Sequence, residues 1–322
     1  MTTQAQPAAR PLDAAKFRDP DVTAKGERRA SVGMTHLETL WFNTGTLCNI
    51  ECGHCYIESS PNNDRLEYMS VAEVTEFLDE IEALDLPTQE IGFTGGEPFM
   101  NPEILAMLKE SLERGFEVLV LTNAMQPMMR PPVREGLLAM REAHPERLTL
   151  RVSIDHYSEQ LHDSERGTGS FARTIEGAGW LAANGFNLAV AGRTCWGEDE
   201  TSGRAGYRRL FVAAGLPVDA GDPQALVLFP EMDASVDIPE ITVDCWGILG
   251  VDPNAMMCAT SRMVVKRKGA GAPVVLACTL LPYDPQFEVA DHLEQALGSV
   301  KLNHPHCAKF CVLGGGCCSV TS

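Results

Sequence analysis

The chain has 322 residues, 44% hydrophobic and 22% charged, a globular composition with length for one large core and an appendage. A formal net charge of −18 repels a phosphate backbone and excludes a nucleic-acid partner, and no apolar run approaches the roughly 20 residues that cross a bilayer, so no membrane partner is expected either. The opening residues hold no apolar leader, so a cytoplasmic location is expected; there the eleven cysteines stay reduced, and clustered thiols bind metal or do chemistry more often than they form disulfides.

Residues 1–35, rich in Ala, Pro, Thr and charge, read as a tail or a strap across the core. Regular patterning begins at LETLWFN (residues 37–43). It continues through a helix SVAEVTEFLDEIEAL (70–84), a strand EIGFT (90–94), a helix NPEILAMLKESLERG (101–115) and a strand EVLVLT (117–122). There follow a helix PVREGLLAMREAH (132–144), a strand LTLRVSI (148–154), a helix GSFARTIEGAGWLAANG (169–185), a strand NLAVAGR (187–193), a helix GRAGYRRLFVAAG (203–215) and a strand ALVLFP (225–230). Ser70 with Glu73 three residues on has the form of a capping box, and Gly185 stops the fourth helix. Strict alternation with short connections implies right-handed crossovers and a parallel sheet. The expected fold class is α/β, a partial (β/α)6 barrel over residues 36–230, two repeats short of a complete TIM barrel. From residue 231 the alternation stops. The remaining segment, 231–322, is irregular yet holds seven of the eleven cysteines, and reads as a small Cys-rich domain held together by something other than a large core.

Every motif that carries chemistry falls after a strand, on the rim where α/β barrels place catalytic groups. CNIECGHC, with Cys48, Cys52 and Cys55, follows the first strand; TGGEP (94–98) follows the second, TNA (122–124) the third, SID (153–155) the fourth and GRT (192–194) the fifth. Structural zinc closes its shell with four ligands, and His54 lies where a short loop has difficulty turning all four side chains to one ion. A cubane of iron and sulfide is larger, three thiolates can each reach a separate corner, and the fourth iron stays open for a ligand. In TGGEP two glycines allow close backbone approach, while carbonyls and Glu97 offer acceptors to an ammonium group, a binding part with little structural role.

C-x3-C-x2-C followed by the aromatic Tyr56, with GGEP on the next loop, resembles the radical S-adenosylmethionine (SAM) enzymes. The resemblance implies that Cys48, Cys52 and Cys55 hold a four-iron four-sulfur cluster whose unique iron is chelated by SAM. It implies that an electron from the cluster cleaves SAM, usually to methionine and a radical that takes hydrogen from substrate, and that a donor such as flavodoxin or ferredoxin supplies the electron. Gly95, Gly96, Glu97 and Pro98 then belong to the motif that binds the SAM amino group. Asn123, Ser153 and Arg193 match positions of ribose or carboxylate contacts, a surface Arg and a capping Ser being the alternatives, and Thr122 is a further candidate for cofactor binding. Asp155 and His156 are candidates for substrate contact or proton relay, or for ordinary turn chemistry; Arg166, in the loop HDSERGTGSF, reaches the rim or orders its loop.

In the C-terminal segment Cys258 and Cys278 flank alternating apolar residues around a Gly-rich turn, the pattern of a hairpin. With Cys307 and Cys311 they resemble the SPASM and twitch extensions of the same enzymes, which implies a second, auxiliary cluster. The match departs in two respects: the close pair is C-x3-C where C-x2-C is usual, and with four residues after Cys318 the last ligands of a full two-cluster SPASM domain are not expected, so a twitch-like module with one auxiliary cluster is the expected form. Cys317 or Cys318 is a further candidate ligand, and a structural zinc site or unligated thiols remain alternatives. Cys195 and Cys245 are isolated and take no role. The reading is an enzyme acting on a small molecule, favoured because the residues before the first strand are too few for a leader-peptide domain of ~80 residues, or on a peptide recognised by the C-terminal segment. An iron-sulfur electron carrier without SAM chemistry and a zinc-bound interaction protein are the competing classes, and GGEP with the three-cysteine loop counts against both.

Overall fold

The structure, a computed structural model, describes residues 10–230 and 233–314. Six strands follow the expected alternation: β1 (Thr39–Asn43), β2 (Glu90–Thr94), β3 (Glu117–Thr122), β4 (Leu148–Ser153), β5 (Asn187–Arg193) and β6 (Leu226–Phe229). Among them run helices α1 (Val71–Ala83), α2 (Ile104–Glu113), α3 (Pro131–Ala143), α4 (Glu159–Arg166), α5 (Ser170–Ala183) and α6 (Glu200–Ala214). The capping box of α1 is formed: the Glu73 N–H donates to Ser70 Oγ at 3.3 Å and the Ser70 N–H donates to Glu73 Oε2 at 2.8 Å.

The segment around Arg166, expected as a loop, is helix α4. It gave no apolar period because the buried residues of its inner face are polar, His162 and Glu165. Asp163 fastens it to α5, its carboxylate accepting the N–H groups of Gly169 (2.6 Å) and Phe171 (2.8 Å) and the Ser170 hydroxyl (3.0 Å).

The six strands lie side by side in chain order, all parallel. The expected hairpin is present as β7 (Ser261–Val265) and β8 (Val274–Leu276), followed by β9 (Glu288–Ala290), and it extends the same sheet. β7 pairs in parallel with β1, Leu40 opposite Arg262, so the nine-stranded sheet runs β9-β8-β7-β1-β2-β3-β4-β5-β6. The expectation that the C-terminal segment lacks a share in a large core is corrected here, because all five residues of β7 are buried. Val264 joins the core under the helices, and Met263 and Val265 join the core inside the barrel.

Period-two alternation divides the strand residues between these two cores. Leu40, Phe42, Ile91, Phe93, Val118, Val120, Leu150 and Val152 pack under the helices. Trp41 and Leu119 point the other way, into the barrel, where Arg151 and Ser153 of β4 and Arg193 of β5 line a cavity at the rim. The N-terminal residues cross the C-terminal part as a strap: Ser31–Val32 pairs antiparallel with Val300–Lys301, and fully buried Arg29 donates to Glu240 Oε1 at 2.6 Å.

Two glycines of α5 give opposite predictions. A Cβ on Gly177 would sit 1.8 Å from the Ala124 carbonyl oxygen, so this glycine lets α5 press on the loop after β3; a Cβ on Gly179 meets nothing within 4 Å. Gly177→Ala is expected to cost about 3 kcal/mol through overpacking. Gly179→Ala is expected to stabilise by roughly 0.5–1 kcal/mol through the helix preference for alanine. Urea unfolding of the two variants checks the contrast.

Candidate active site

The pairing of β1 with β2 does not stop where the strands end. Thr44 N–H donates to the Thr94 carbonyl at 2.8 Å, Gly96 N–H to Gly45 at 2.8 Å and Glu97 N–H to Leu47 at 3.2 Å. A Cβ on Gly96 would lie 2.2 Å from the Leu47 carbonyl oxygen, and one on Gly95, at φ +153°, 2.6 Å from that of Gly45. The glycines of GGEP thus let this loop lie against the one that carries the cysteines. They also face the rim cavity, together with Cys48, Cys52, Cys55, Tyr56, Thr122, Asn123, Ser153, Asp155, Arg166 and Arg193.

Glu97 stands behind that surface, 2% exposed. Its Oε1 accepts the Thr122 hydroxyl (2.9 Å) and the Phe99 N–H (3.2 Å), and Oε2 accepts the Asn123 N–H (2.9 Å). Burial pushes its carboxyl up to about 7 against the pull of these hydrogen bonds. The expectation that Glu97 has little structural role is therefore corrected: it ties the loop after β2 to the loop after β3. Pro98 is buried and opens the short turn Pro98–Met100. Asn123 completes the tie, its Nδ2 donating to Asn49 Oδ1 in the cysteine loop at 2.9 Å.

Cys48 is buried, and Cys52 and Cys55 are partly exposed. Burial pushes the thiol of Cys48 up to about 12 and that of Cys52 to about 11, so two of the three thiolates sit where only a nearby cation makes ionisation favourable. Among the described residues no three His, Cys, Asp or Glu side chains close on one ion. A cubane asks for one thiolate per iron, which three thiols spaced around one cavity can supply.

Helix α4 presents its polar face to this rim. Arg166 holds Asp155 in a two-pronged fork, Nε to Oδ2 at 2.7 Å and Nη2 to Oδ1 at 3.0 Å. Burial alone would raise the Asp155 carboxyl, but the Arg166 charge and hydrogen bonds hold it below the usual carboxylate range. Glu165, buried at 6%, accepts the His54 N–H (2.7 Å) and Arg193 Nη1 (3.1 Å) on Oε1, while Oε2 meets His54 Nδ1 at 2.8 Å. Its carbonyl accepts the Gly53 N–H at 3.0 Å. Arg193 Nη1 also reaches the His54 carbonyl at 3.1 Å, yet its Nε and Nη2 are buried with no protein acceptor. His156, a neighbour of Asp155 in sequence, turns to Ser158 Oγ at 2.8 Å and packs beside Trp196.

Sequence reasoning missed Glu165, Trp41, Arg151 and Phe229, all in contact with the cavity or its cysteine loop. Arg151 was within reach, since it lies two residues before Ser153 and so shares its face of β4. Glu165 carried no signal beyond standing next to Arg166.

A second cavity, lined mostly by apolar side chains such as Met257, Leu281, Phe287 and Leu302, brings together Cys258, Cys278, Cys307, Cys311 and His306. Cys307 and Cys311 lie four apart on the helical turn Cys307–Val312, which puts both on one side and accommodates the C-x3-C spacing. Leu280 lines both cavities, so the segment after Cys278 is their shared wall. Cys317 and Cys318 lie outside the described residues.

With this geometry in place, comparison with known proteins is direct. Residues 42–201 match the family profile described as Radical SAM superfamily, and that stretch of the chain is a radical SAM domain. The chain is 32% identical over 145 residues to the antilisterial bacteriocin subtilosin biosynthesis protein AlbA of Bacillus subtilis, 45% of this chain and 30% of that protein. It is 31% identical over 144 residues to the AdoMet-dependent heme synthase of Methanosarcina barkeri, 44% of this chain and 38% of that one. The matches thus span about a third of these relatives' own length. The fold is shared with Streptococcus suis SuiB bound to its precursor peptide SuiA, at TM-score 0.59 and 12% identity over 82% of this chain and 64% of that one. Among the described residues no helix is long and apolar enough to cross a membrane.

The structural role of Glu97 is testable without any cofactor. Glu97→Ala leaves the Asn123 and Phe99 N–H groups and the Thr122 hydroxyl without their buried acceptor and is expected to cost about 2–3 kcal/mol at pH 5. Because the folded carboxyl titrates near 7, above its ordinary value of 4.5, the native state binds the extra proton. Its contribution is full below pH 4.5 and declines as pH rises through 7, so the gap between wild type and variant narrows over that range. Denaturant unfolding at pH 5 and pH 8 measures it.

Proposed function

We propose that this chain is a radical SAM enzyme in which Cys48, Cys52 and Cys55 hold a [4Fe-4S] cluster and the rim cavity binds SAM. The observation that carries the reading is the convergence of these three thiols, the Gly95–Gly96 backbone and the unpartnered Nε and Nη2 of Arg193 on one cavity. Two buried guanidinium donors without an acceptor suit a carboxylate, which a guanidinium fork holds in two-pronged fashion. The Gly95–Gly96 backbone and the Ser153 hydroxyl offer polar groups to the rest of the cofactor, while Thr122, bonded to Glu97, and Asn123 brace the loops around it. When bound and reduced, the cluster supplies the electron that cleaves SAM and begins radical chemistry on the substrate. Asp155, neutralised by Arg166, and the walls formed by Trp41, Leu121 and Phe229 keep that chemistry in a dry, charge-balanced space.

We further propose that residues 231–322 form the auxiliary-cluster domain despite sharing the barrel's sheet, with Cys258, Cys278, Cys307 and Cys311 as ligands and Cys317 as a spare. The four thiols line one cavity, where burial pushes Cys258 up to about 11 and Cys307 well above its ordinary value, conditions that a bound cation relieves. A peptide is the proposed substrate, supported by the likeness to a bacteriocin biosynthesis protein and to a structure holding a precursor peptide. A small-molecule substrate is the second reading, supported by the likeness to a heme synthase at nearly the same identity. A flavodoxin or ferredoxin is the proposed electron donor.

The test uses anaerobically reconstituted protein with dithionite and SAM. Wild type should release 5′-deoxyadenosine, and the Cys48/Cys52/Cys55→Ala triple variant should release none while keeping about four irons per chain in the second site. Release of 5′-deoxyadenosine by the variant refutes the cluster assignment; a variant without iron refutes the second cluster alone.

A further inference from the structure

We infer that Glu165 is a positioning residue that sets Arg193 and the Cys52–Cys55 segment in one fixed arrangement, so that the cofactor's carboxylate meets an already oriented guanidinium. The inference rests on the assignment of SAM to the rim cavity proposed above. All three oxygens of residue 165 are engaged at this junction. Its carbonyl takes the Gly53 N–H at 3.0 Å, its Oε1 takes both the His54 N–H at 2.7 Å and Arg193 Nη1 at 3.1 Å, and its Oε2 takes the His54 ring at 2.8 Å. Gly53 and His54 are the two residues between Cys52 and Cys55, so both backbone N–H groups of that short span are held from outside the loop. Arg193 is fixed at the same point by the His54 carbonyl at 3.1 Å. One end of the guanidinium is thereby pinned, and Nε and Nη2 remain buried and unpartnered on a residue that lines the same cavity as the thiols.

Carboxylate recognition by a guanidinium depends on the plane and direction of the fork, and a pinned fork gives up less freedom on binding. Glu165 does not line the rim cavity, and it bears on Cys52 through its charge. Its effect on the cofactor passes through Arg193, and a residue of purely structural importance would not show that dependence. Asp155 and Arg166, one residue along, form their own pair, so the neighbouring charges do not substitute for Glu165.

The test is a double-mutant cycle read as SAM affinity on the reconstituted, iron-loaded protein, with wild type, Glu165→Gln, Arg193→Ala and the double variant. Glu165→Gln keeps the shape and removes the charge. It is expected to weaken SAM binding about tenfold when Arg193 is present and less than twofold when Arg193 is Ala. Iron content should be equal in all four proteins. If Glu165→Gln loses iron, the same cycle is run with Glu165→Asp, which keeps the charge and shortens the reach. Equal loss of affinity in both backgrounds, or no loss in either, overturns the inference while leaving the SAM site standing. A wild type that holds iron and binds no SAM overturns the proposed function itself, and this inference with it.

Discussion

The arrangement of the rim depends on one constraint: the hydrogen-bond ladder between β1 and β2 continues beyond the strands, from Thr44–Thr94 to Gly96–Gly45 and Glu97–Leu47. A cysteine loop on its own has no packed side that would fix three thiols. Here its first residues are held as though they were still strand, and the absence of a side chain at Gly96 permits the 2.2 Å position that any Cβ would occupy against Leu47. Side-chain ties then fan outward from this seam, Glu97 to Thr122 and Asn123, and Asn123 to Asn49. The loops after three successive strands become a single surface.

Electrostatics follow the same economy. The rim buries several charges, and nearly all face a partner: Asp155 with Arg166, Glu165 with Arg193 and His54. Buried pairs of this kind give little net stability, since desolvation offsets their attraction, but they specify geometry strongly because breaking one strands a charge. The exceptions are informative. Two nitrogens of Arg193 have no protein acceptor, and burial disfavours ionisation of the Cys48 and Cys52 thiols, the two features on which the proposed SAM and cluster sites rest.

Much of this was legible in the sequence, for physical reasons that differ by element. The six parallel strands and five of the helices showed because a two-layer packing imposes period two or period 3.6 on apolar residues, as in α1 with Val74, Phe77, Leu78 and Ile81. Helix α4 hid because it buries His162 and Glu165 in place of apolar side chains. The placement of β7 beside β1 hid because a hairpin pattern says which strands pair with each other and nothing about which sheet receives them. The rim motifs could be assigned to one edge of the barrel from their positions after strands. The partners of each residue could not: that Glu97 looks inward to Thr122, or that Asp155 is already taken by Arg166, depends on packing that no local pattern records.

The C-terminal segment shares both the sheet and a wall with the barrel. Leu280 separates the cavity of the four later cysteines from the rim cavity, and the Tyr283 hydroxyl donates to the Ile57 carbonyl just past the cysteine loop at 2.8 Å. Two thiol-lined cavities thus share one continuous structure, and the chemistry is proposed at the first, where Cys48, Cys52 and Cys55 would leave one iron open to SAM. The most direct measurement is electron paramagnetic resonance of the dithionite-reduced protein, with the later cysteines Cys258 and Cys278 replaced by Ser to silence the second site, recorded before and after adding SAM labelled with 17O in its carboxylate. The account predicts a signal that shifts on addition and carries a hyperfine coupling to the label. A reduced-cluster signal that is unchanged by SAM and shows no coupling would contradict it.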